Sequence, residues 1–185
     1  GHSRISKRIS LYAGVAAVHI SFSILKDSTP LIDTNIAFPF LVDSPKYRYS
    51  ATLSTLSPVE DYFPGAYSDT IPVQEWISLT DQKSTIVWSS LDTPLVSLGE
   101  LHPGYVSPAH RSRIDSSVAH RPQSHDDLQN GWIYSAIANN NFGTNFAVSQ
   151  SGALLARYVF ASGSRFDEAI SDVESTRIGN DSNIT

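Results

Sequence analysis

The segment at residues 132–146 has the side chains best suited to recognising a polar ligand. An aromatic and apolar run leads into three consecutive asparagines, which are followed by Phe142-Gly143-Thr144-Asn145. Asparagine tolerates a left-handed backbone and often bonds its own turn, so one interpretation is a tight, self-bonded connection between strands. The other is a row of amides, from Asn140, Asn141 and Asn145, that binds the hydroxyl groups of a sugar.

Carboxyl groups could perform glycosidase chemistry, which needs two of them about 5–10 Å apart across the scissile bond. Four acids lie near the predicted ends of strands: Glu60, Asp61, Asp69 and Asp92. Acids at turns commonly bond the local backbone, and the sequence alone does not place any two of these four together. We therefore predict no catalytic residues in this chain, and we retain Asp69 as a candidate sugar contact.

Histidines are concentrated in a polar stretch at residues 102–130, which is long for a loop unless it is functional or disordered. The candidate metal ligands there are His102, His110, His120, His125, Asp126 and Asp127. No pair of them has the His-x-x-x-His spacing of a helix or the His-x-His spacing of a strand, and the chain has no cysteine. We predict a solvated loop, with no metal site or cofactor in this chain.

Aromatic rings could form a sugar-binding surface, because the faces of sugars stack on rings. The candidates are Trp76, Trp88, Trp132, Tyr134 and Phe142. Trp132 and Tyr134 share one face of a predicted strand, where rings more often fill a sandwich core. Core packing is the favoured prediction for each of these rings, and Trp76, Trp88 and Asp61 are expected to be structural.

Strand patterns dominate the elements that would position these residues. Residues 17–24 alternate, with Val18, Ile20, Phe22 and Ile24 on one face, as expected of a half-buried strand. Further strands are predicted at residues 34–40, 47–53, 73–79, 84–89, 94–98, 132–138, 145–149 and 153–160. About nine short strands separated by turn residues predict an all-β fold, a β-sandwich or barrel.

Residues 164–177 are the exception, because Phe166, Ile170 and Val173 have helical spacing and two acids lie in the first turn. This pattern predicts one short C-terminal helix. We predict one β-sandwich domain at residues 4–178 and a flexible polar tail at residues 179–185.

Gly1-His2-Ser3 is interpreted as the remnant of an expression tag at residues 1–3, so Gly1 and His2 are left out of the fold prediction. The chain also has no methionine, which favours a piece of a longer protein.

Composition argues against several classes of function. Hydrophobic residues make up 41% of the chain and can form a real core, whereas the net charge of −5 argues against a nucleic-acid partner. No apolar run approaches the ~18 residues of a membrane span, so we predict a soluble protein with no membrane partner. A Gly-x-Ser-x-Gly nucleophile motif and glycine-rich phosphate loops are absent. The cellular compartment is not predicted.

Six landmarks occur in order along residues 15–177. They are Ala37-Phe38-Pro39-Phe40; the turn from Asp61 to Asp69 around Pro64-Gly65-Ala66; Val73-Gln74-Glu75-Trp76-Ile77; Val87-Trp88 with Asp92-Thr93-Pro94-Leu95; Asn140 to Phe146; and Gln150-Ser151-Gly152 with Arg157-Tyr158-Val159-Phe160. Together they resemble the C-terminal β-domain of family 38 glycoside hydrolases, the α-mannosidases.

The resemblance implies a large β-sandwich of the galactose-mutarotase-like type, a supersandwich, that packs on a catalytic domain. In this family the nucleophile, the acid/base residue and the zinc ligands come from an N-terminal (β/α) domain and a helical segment, and no stretch here resembles either. The chain would then be the non-catalytic part of a retaining α-mannosidase-like enzyme. Its partners would be those missing catalytic and helical domains, and zinc would be bound in the catalytic domain.

Three functions stay open. A supporting fragment should have no activity alone and an exposed apolar docking face, which would also favour self-association. A free-standing carbohydrate-binding module should present rings along a groove and bind a carbohydrate ligand unaided. The third alternative is a structural or interaction domain that has lost its enzymatic partner.

Overall fold

The computed structural model describes residues 2–28, 33–63, 70–99, 101, 125–139 and 149–181. Within these ranges the strands are β1 (His2–Leu11), β2 (Ala17–Lys26), β3 (Asp33–Phe40), β4 (Lys46–Ala51), β5 (Ser54–Leu56), β6 (Ile71–Pro72), β7 (Ile77–Thr80), β8 (Thr85–Ser90), β9 (Leu95–Leu98), β10 (Gly131–Asn139) and β11 (Gly152–Gly163). A 3₁₀ helix at His125–Leu128 precedes β10, and helix α1 (Phe166–Asp181) follows β11.

The strands form two antiparallel sheets that pack face to face. The seven-stranded sheet has the order β1-β2-β11-β8-β7-β4-β5, and the four-stranded sheet has the order β3-β10-β9-β6. Apolar side chains of both sheets fill the space between them. The predicted all-β sandwich with one C-terminal helix is therefore confirmed, while its likeness to the galactose-mutarotase type stays a prediction.

Three aromatic rings from both sheets form the centre of this core. Phe38 of β3 lies 5.4 Å from Trp88 of β8 and 4.7 Å from Tyr158 of β11, measured between ring centroids. Aromatic pairs at such distances contribute about 0.5–1.5 kcal/mol beyond the area they bury. Trp88 is fully buried, which confirms its predicted core position.

Strand β2 has the predicted alternation. Ile20 and Phe22 point toward the four-stranded sheet and pack on the core between the sheets. Ala17 lies on the other face, where it packs in a second apolar cluster under α1. The period of two therefore assigned the faces of this strand correctly.

Helix α1 covers the outer face of the seven-stranded sheet. Ala169 and Val173 are fully buried against Val87 of β8 and Val159 of β11. This confirms the predicted helix and its apolar face. It begins at Phe166 and continues to Asp181, so it includes the first residues of the predicted tail.

Strand β1 was not predicted, although only its first two residues belong to the segment interpreted as a tag remnant. It begins at His2 and pairs with β2 from His2 to Leu11, so leaving His2 out of the fold was wrong. The origin of residues 1–3 as a tag remnant stays a prediction.

Two other predicted strands are interrupted. The strand predicted at residues 47–53 ends at Ala51, and Leu53 turns with a φ of +59°. The strand predicted at residues 73–79 is only formed from Ile77, because the residues before it cross between the sheets. Residues 145–148 of the strand predicted at 145–149 lie outside the described part of the chain. Residues 102–124 of the predicted loop lie outside it as well.

Candidate functional site

The predicted sugar contacts lie outside the residues that the structure describes. Asp69 falls between described residues 63 and 70, while Asn140, Asn141 and Asn145 fall between residues 139 and 149. Their roles therefore stay predictions. What the structure gives is the framework on which the asparagine segment is mounted, since this segment follows β10 and precedes β11.

A buried lysine fixes the approach to β11. The Lys26 side chain is 2% exposed, and its Nζ donates hydrogen bonds to the carbonyl oxygens of Gln150 at 2.8 Å and Asp27 at 3.3 Å. A buried ammonium group is stable only when it is well hydrogen-bonded, so these bonds tie the end of β2 to Gln150, two residues before β11 begins. Lys26 was not predicted to have a structural role, although it continues the inward row of Ile20, Phe22 and Ile24.

Two landmark segments meet where the chain crosses between the sheets. Asp92, in the connection between β8 and β9, binds Arg157 of β11 through both carboxylate oxygens, at 3.0 Å from Nε and 2.7 Å from Nη2. The same carboxylate accepts the backbone N–H of Arg157 at 2.8 Å. Asp92 therefore anchors the crossing, which leaves it unsuited to the glycosidase role considered for it.

A cluster of hydroxyl groups links both sheets beside this ion pair. Thr93 Oγ1 is hydrogen-bonded to Ser135 Oγ at 2.7 Å and to Ser90 Oγ at 2.7 Å, and Tyr158 donates to Ser135 at 3.0 Å. Burial raises the pKa of the Tyr158 hydroxyl, so it stays protonated and acts as a donor. The cluster is a buried polar seam between the sheets.

A third landmark segment, residues 73–76, crosses between the sheets beside the connection that contains Asp92. Ser50 Oγ accepts the backbone N–H groups of Glu75 at 2.7 Å and Trp76 at 2.9 Å. Ser89 Oγ donates to the Glu75 carbonyl at 2.5 Å, and Val73 N–H donates to the Pro94 carbonyl at 2.8 Å. These contacts show that the landmark segments around residues 75, 92 and 157 belong to one connected part of the fold.

The other candidate acids have local or exposed positions. Asp61 accepts the backbone N–H of Ser57 at 2.6 Å, which is the turn-bonding role expected of it. Glu60 is exposed beside it, and Val59 has a φ of +79°, an unfavourable angle for a β-branched residue. Of the four acids, only Asp69 has no described position.

The predicted core position of Trp132 and Tyr134 was wrong. Both side chains point away from the inner face of the four-stranded sheet. The alternate residues Ile133 and Ser135 are fully buried on that inner face. Trp132 is 39% exposed and its ring is tilted over that of Tyr134, with 5.7 Å between centroids. The half-buried Trp76 packs on Phe166 of α1 instead, at 4.8 Å.

Metal ligands do not converge in the part of the chain that is described: no group of three His, Cys, Asp or Glu side chains is found there. His102, His110 and His120 lie outside that part, so the prediction for the loop is untested. Likewise, no described helix is long and apolar enough to cross a membrane.

Neither a scan of protein-family models nor a search of curated proteins gives a match for this chain. The likeness to family 38 glycoside hydrolases therefore stays a prediction from sequence landmarks.

The Asp92–Arg157 pair should stabilise the fold more than an exposed ion pair does. A double-mutant cycle with Asp92→Ala and Arg157→Ala should give a coupling free energy of about 1 kcal/mol in urea unfolding, because the contact is bidentate and only partly exposed. The matched control is Arg165–Glu168, a single 3.4 Å contact with more exposed side chains. It should give a much smaller coupling because both side chains are solvated, and equal coupling of the two pairs would contradict the anchoring role.

His19 should make the fold sensitive to mild acid. Burial lowers its pKa from 6.5, no described residue forms a hydrogen bond with its buried Nε2, and the Tyr12 ring lies 5.0 Å away edge-on. The unfolded chain then binds a proton that the folded chain resists, so the free energy of unfolding is highest above pH ~6.5 and falls from there toward the lowered pKa. Urea unfolding of His19→Gln should show a shallower acid loss than the original protein, and identical pH profiles would refute this.

Proposed function

We propose that this chain is the non-catalytic C-terminal β-sandwich of an α-mannosidase-like glycoside hydrolase, and that it supports the catalytic domain. The contact between landmark segments favours this proposal. Segments that resemble the family in sequence, around Trp76, Asp92 and Arg157, are joined by hydrogen bonds at the crossing between the sheets.

The observation that carries the docking role is an uncovered apolar row on β1. Ile5, Lys7, Ile9 and Leu11, here called the β1 overhang, pair with Ile24, Phe22, Ile20 and Val18 of β2 and therefore share its inward face. Ile5 is 57% exposed, Ile9 56% and Leu11 74%. An inward sheet face with three large apolar side chains in solvent is typical of a surface that another domain covers.

The width of the two sheets explains this exposure. Four strands cannot cover seven, and the four-stranded sheet packs over the side of the larger sheet that holds β11, β8, β7 and β4. The first strand therefore lies beyond its edge. In the proposed enzyme the preceding catalytic and helical domains would occupy this space and would supply the nucleophile, the acid/base residue and the zinc ligands.

The test uses the coding sequence and the full-length protein. A zinc-binding catalytic domain should be encoded upstream, and the full-length protein should hydrolyse 4-nitrophenyl α-mannopyranoside while the present chain alone does not. Ile9→Asp should lower the unfolding free energy of the full-length protein by about 2 kcal/mol or more, because docking would bury the new carboxylate.

The matched control is Ser6→Asp, which adds the same charge to the opposite, exposed face of β1. It should leave the full-length enzyme unchanged, and in the isolated chain both variants should shift stability by less than about 0.5 kcal/mol. A coding sequence without an upstream catalytic domain, or equal effects of Ile9→Asp and Ser6→Asp, would refute the proposal.

The exposed ring pair favours a second candidate function, a carbohydrate-binding module. Trp132 and Tyr134 lie on the outer face of the four-stranded sheet beside Pro39 and Ala37, their partners on β3. This arrangement offers a flat aromatic and apolar platform on which one face of a sugar ring could stack.

If this platform binds sugar, the isolated chain should bind mannotetraose in calorimetric titration. Trp132→Ala should weaken that binding about tenfold through loss of the stacking surface. Leu155→Ala removes an apolar side chain of similar exposure on the other sheet and should have no effect. Absence of mannotetraose binding would contradict the proposed role of this platform.

A further inference from the structure

A groove on the outer face of the seven-stranded sheet has no role in the functions proposed above. It has a volume of about 380 Å³ and lies where the last three strands of that sheet meet the first turn of α1. Its size falls in the ~300–1,000 Å³ range of small-molecule sites. Here called the β4–β7 groove, it is lined by Lys46, Arg48, Thr55, Trp76, Ser78 and Phe166, together with Thr80.

Two cations line one side of the β4–β7 groove. Lys46 and Arg48 are exposed on β4 and stand opposite Thr80 and Ser78 of β7. Within the described part of the chain neither forms an ion pair or a side-chain hydrogen bond. Among the described residues that line the groove none is acidic, so these two cations have no neutralising partner in that lining.

The opposite wall is a rigid aromatic surface. Trp76 packs on Phe166 at 4.8 Å between centroids, with 55° between the ring planes. The backbone of Trp76 is fixed by Ser50, which accepts its N–H through Oγ and donates its own N–H to the Trp76 carbonyl at 2.9 Å. A ring held in this way is already ordered before a ligand arrives, which reduces the entropy cost of binding.

The floor of the groove contains a hydroxyl group without a partner. Ser78 is 3% exposed, and among the described residues its hydroxyl makes no hydrogen bond. The Ser78 hydroxyl lines the groove and can therefore donate to or accept from a polar ligand that enters it. Thr55, at the rim, likewise has no side-chain hydrogen bond within the described residues.

We propose that the β4–β7 groove binds an acidic saccharide, with the carboxylate of a uronic acid unit on Arg48 and Lys46 and the sugar face on Trp76. The guanidinium group of Arg48 matches a carboxylate in a bidentate geometry. Ser78 and Thr55 bond the hydroxyl groups of the same sugar unit. This combination of a ring, hydroxyl groups and cations fits a charged sugar better than an acidic peptide, which would leave the aromatic wall and the floor hydroxyl unused.

The groove and the β1 overhang are at opposite edges of the seven-stranded sheet and on opposite faces. A domain docked on the overhang therefore leaves the β4–β7 groove open. The proposed saccharide site concerns this chain alone, so its test is independent of whether the chain supports a catalytic domain.

The test is calorimetric titration of the chain with tetragalacturonate. The matched ligand is its methyl ester, which has the same sugar backbone without the charges, and it should bind at least about tenfold more weakly because the charge-assisted hydrogen bonds are lost. Raising the ionic strength to ~1 M should weaken tetragalacturonate binding, since the Debye length falls to about 3 Å.

Three variants locate the site. Arg48→Gln should weaken tetragalacturonate binding about tenfold, and Ser78→Ala about threefold, as expected for loss of a charged and a neutral hydrogen bond. Arg8→Gln removes the same charge at the far edge of the same sheet and should leave binding within about twofold of the original. Thermal unfolding of each variant checks that it is folded. If Arg48→Gln does not fold, Ser78→Ala still tests the site.

Fluorescence tests the stacking independently. In a Trp132→Phe background the remaining tryptophans are Trp76 and the fully buried Trp88. A change in emission on addition of tetragalacturonate would therefore place the sugar at Trp76. The proposal is overturned by absence of binding, by equal binding of the methyl ester, by equal weakening in Arg8→Gln, or by tetraglutamate binding as tightly as the saccharide.

Discussion

The chain changes sheets between Ser90 and Leu95, and the hydrogen bonds made there determine how the two sheets face each other. The Thr93 hydroxyl is bonded to Ser135 of the four-stranded sheet and lies 3.3 Å from the Tyr158 hydroxyl of the seven-stranded sheet. A buried hydroxyl that loses its partner costs about 1–3 kcal/mol, so a sliding of one sheet over the other would be opposed by directional bonds. Apolar packing alone, which has no direction, would not define one arrangement so narrowly.

The unequal sheets follow from that fixed crossing. Because the four-stranded sheet is held over the side of the larger one that holds β11, β8, β7 and β4, β1 is left uncovered on its inward face. Helix α1 covers the middle of the outer face. Its first residue, Phe166, lies at the boundary of the covered area, and the β4–β7 groove lies beyond it. The β1 overhang and the β4–β7 groove therefore both lie on parts of the seven-stranded sheet that no second layer covers.

The sequence predicted local periodicity well and orientation poorly. The alternation of β2 and the apolar face of α1 could be read directly, since each period identifies residues that share a face. The same reasoning placed Trp132 and Tyr134 together but could not say that Ser135, a polar residue, marks the buried side. Strand β1 was missed although Ile5, Ile9 and Leu11 lie at alternate positions. Lys26 was missed because burial of a lysine depends on carbonyl groups far along the chain. The groove was unpredictable for a similar reason, since Arg48, Ser78 and Phe166 meet only through the fold.

The position of β11 has a consequence for how the domain is made. This strand is the last in the chain, yet it lies between β2 and β8 in the seven-stranded sheet. Pairing of Ala17 with Ala161 cannot occur until almost the whole domain has left the ribosome. Sheets assembled from such distant segments fold slowly. Until then the apolar side chains of the β1–β2 hairpin remain exposed to water. The positive charge of Lys7 in the β1 overhang hinders pairing of this edge strand with other nascent chains.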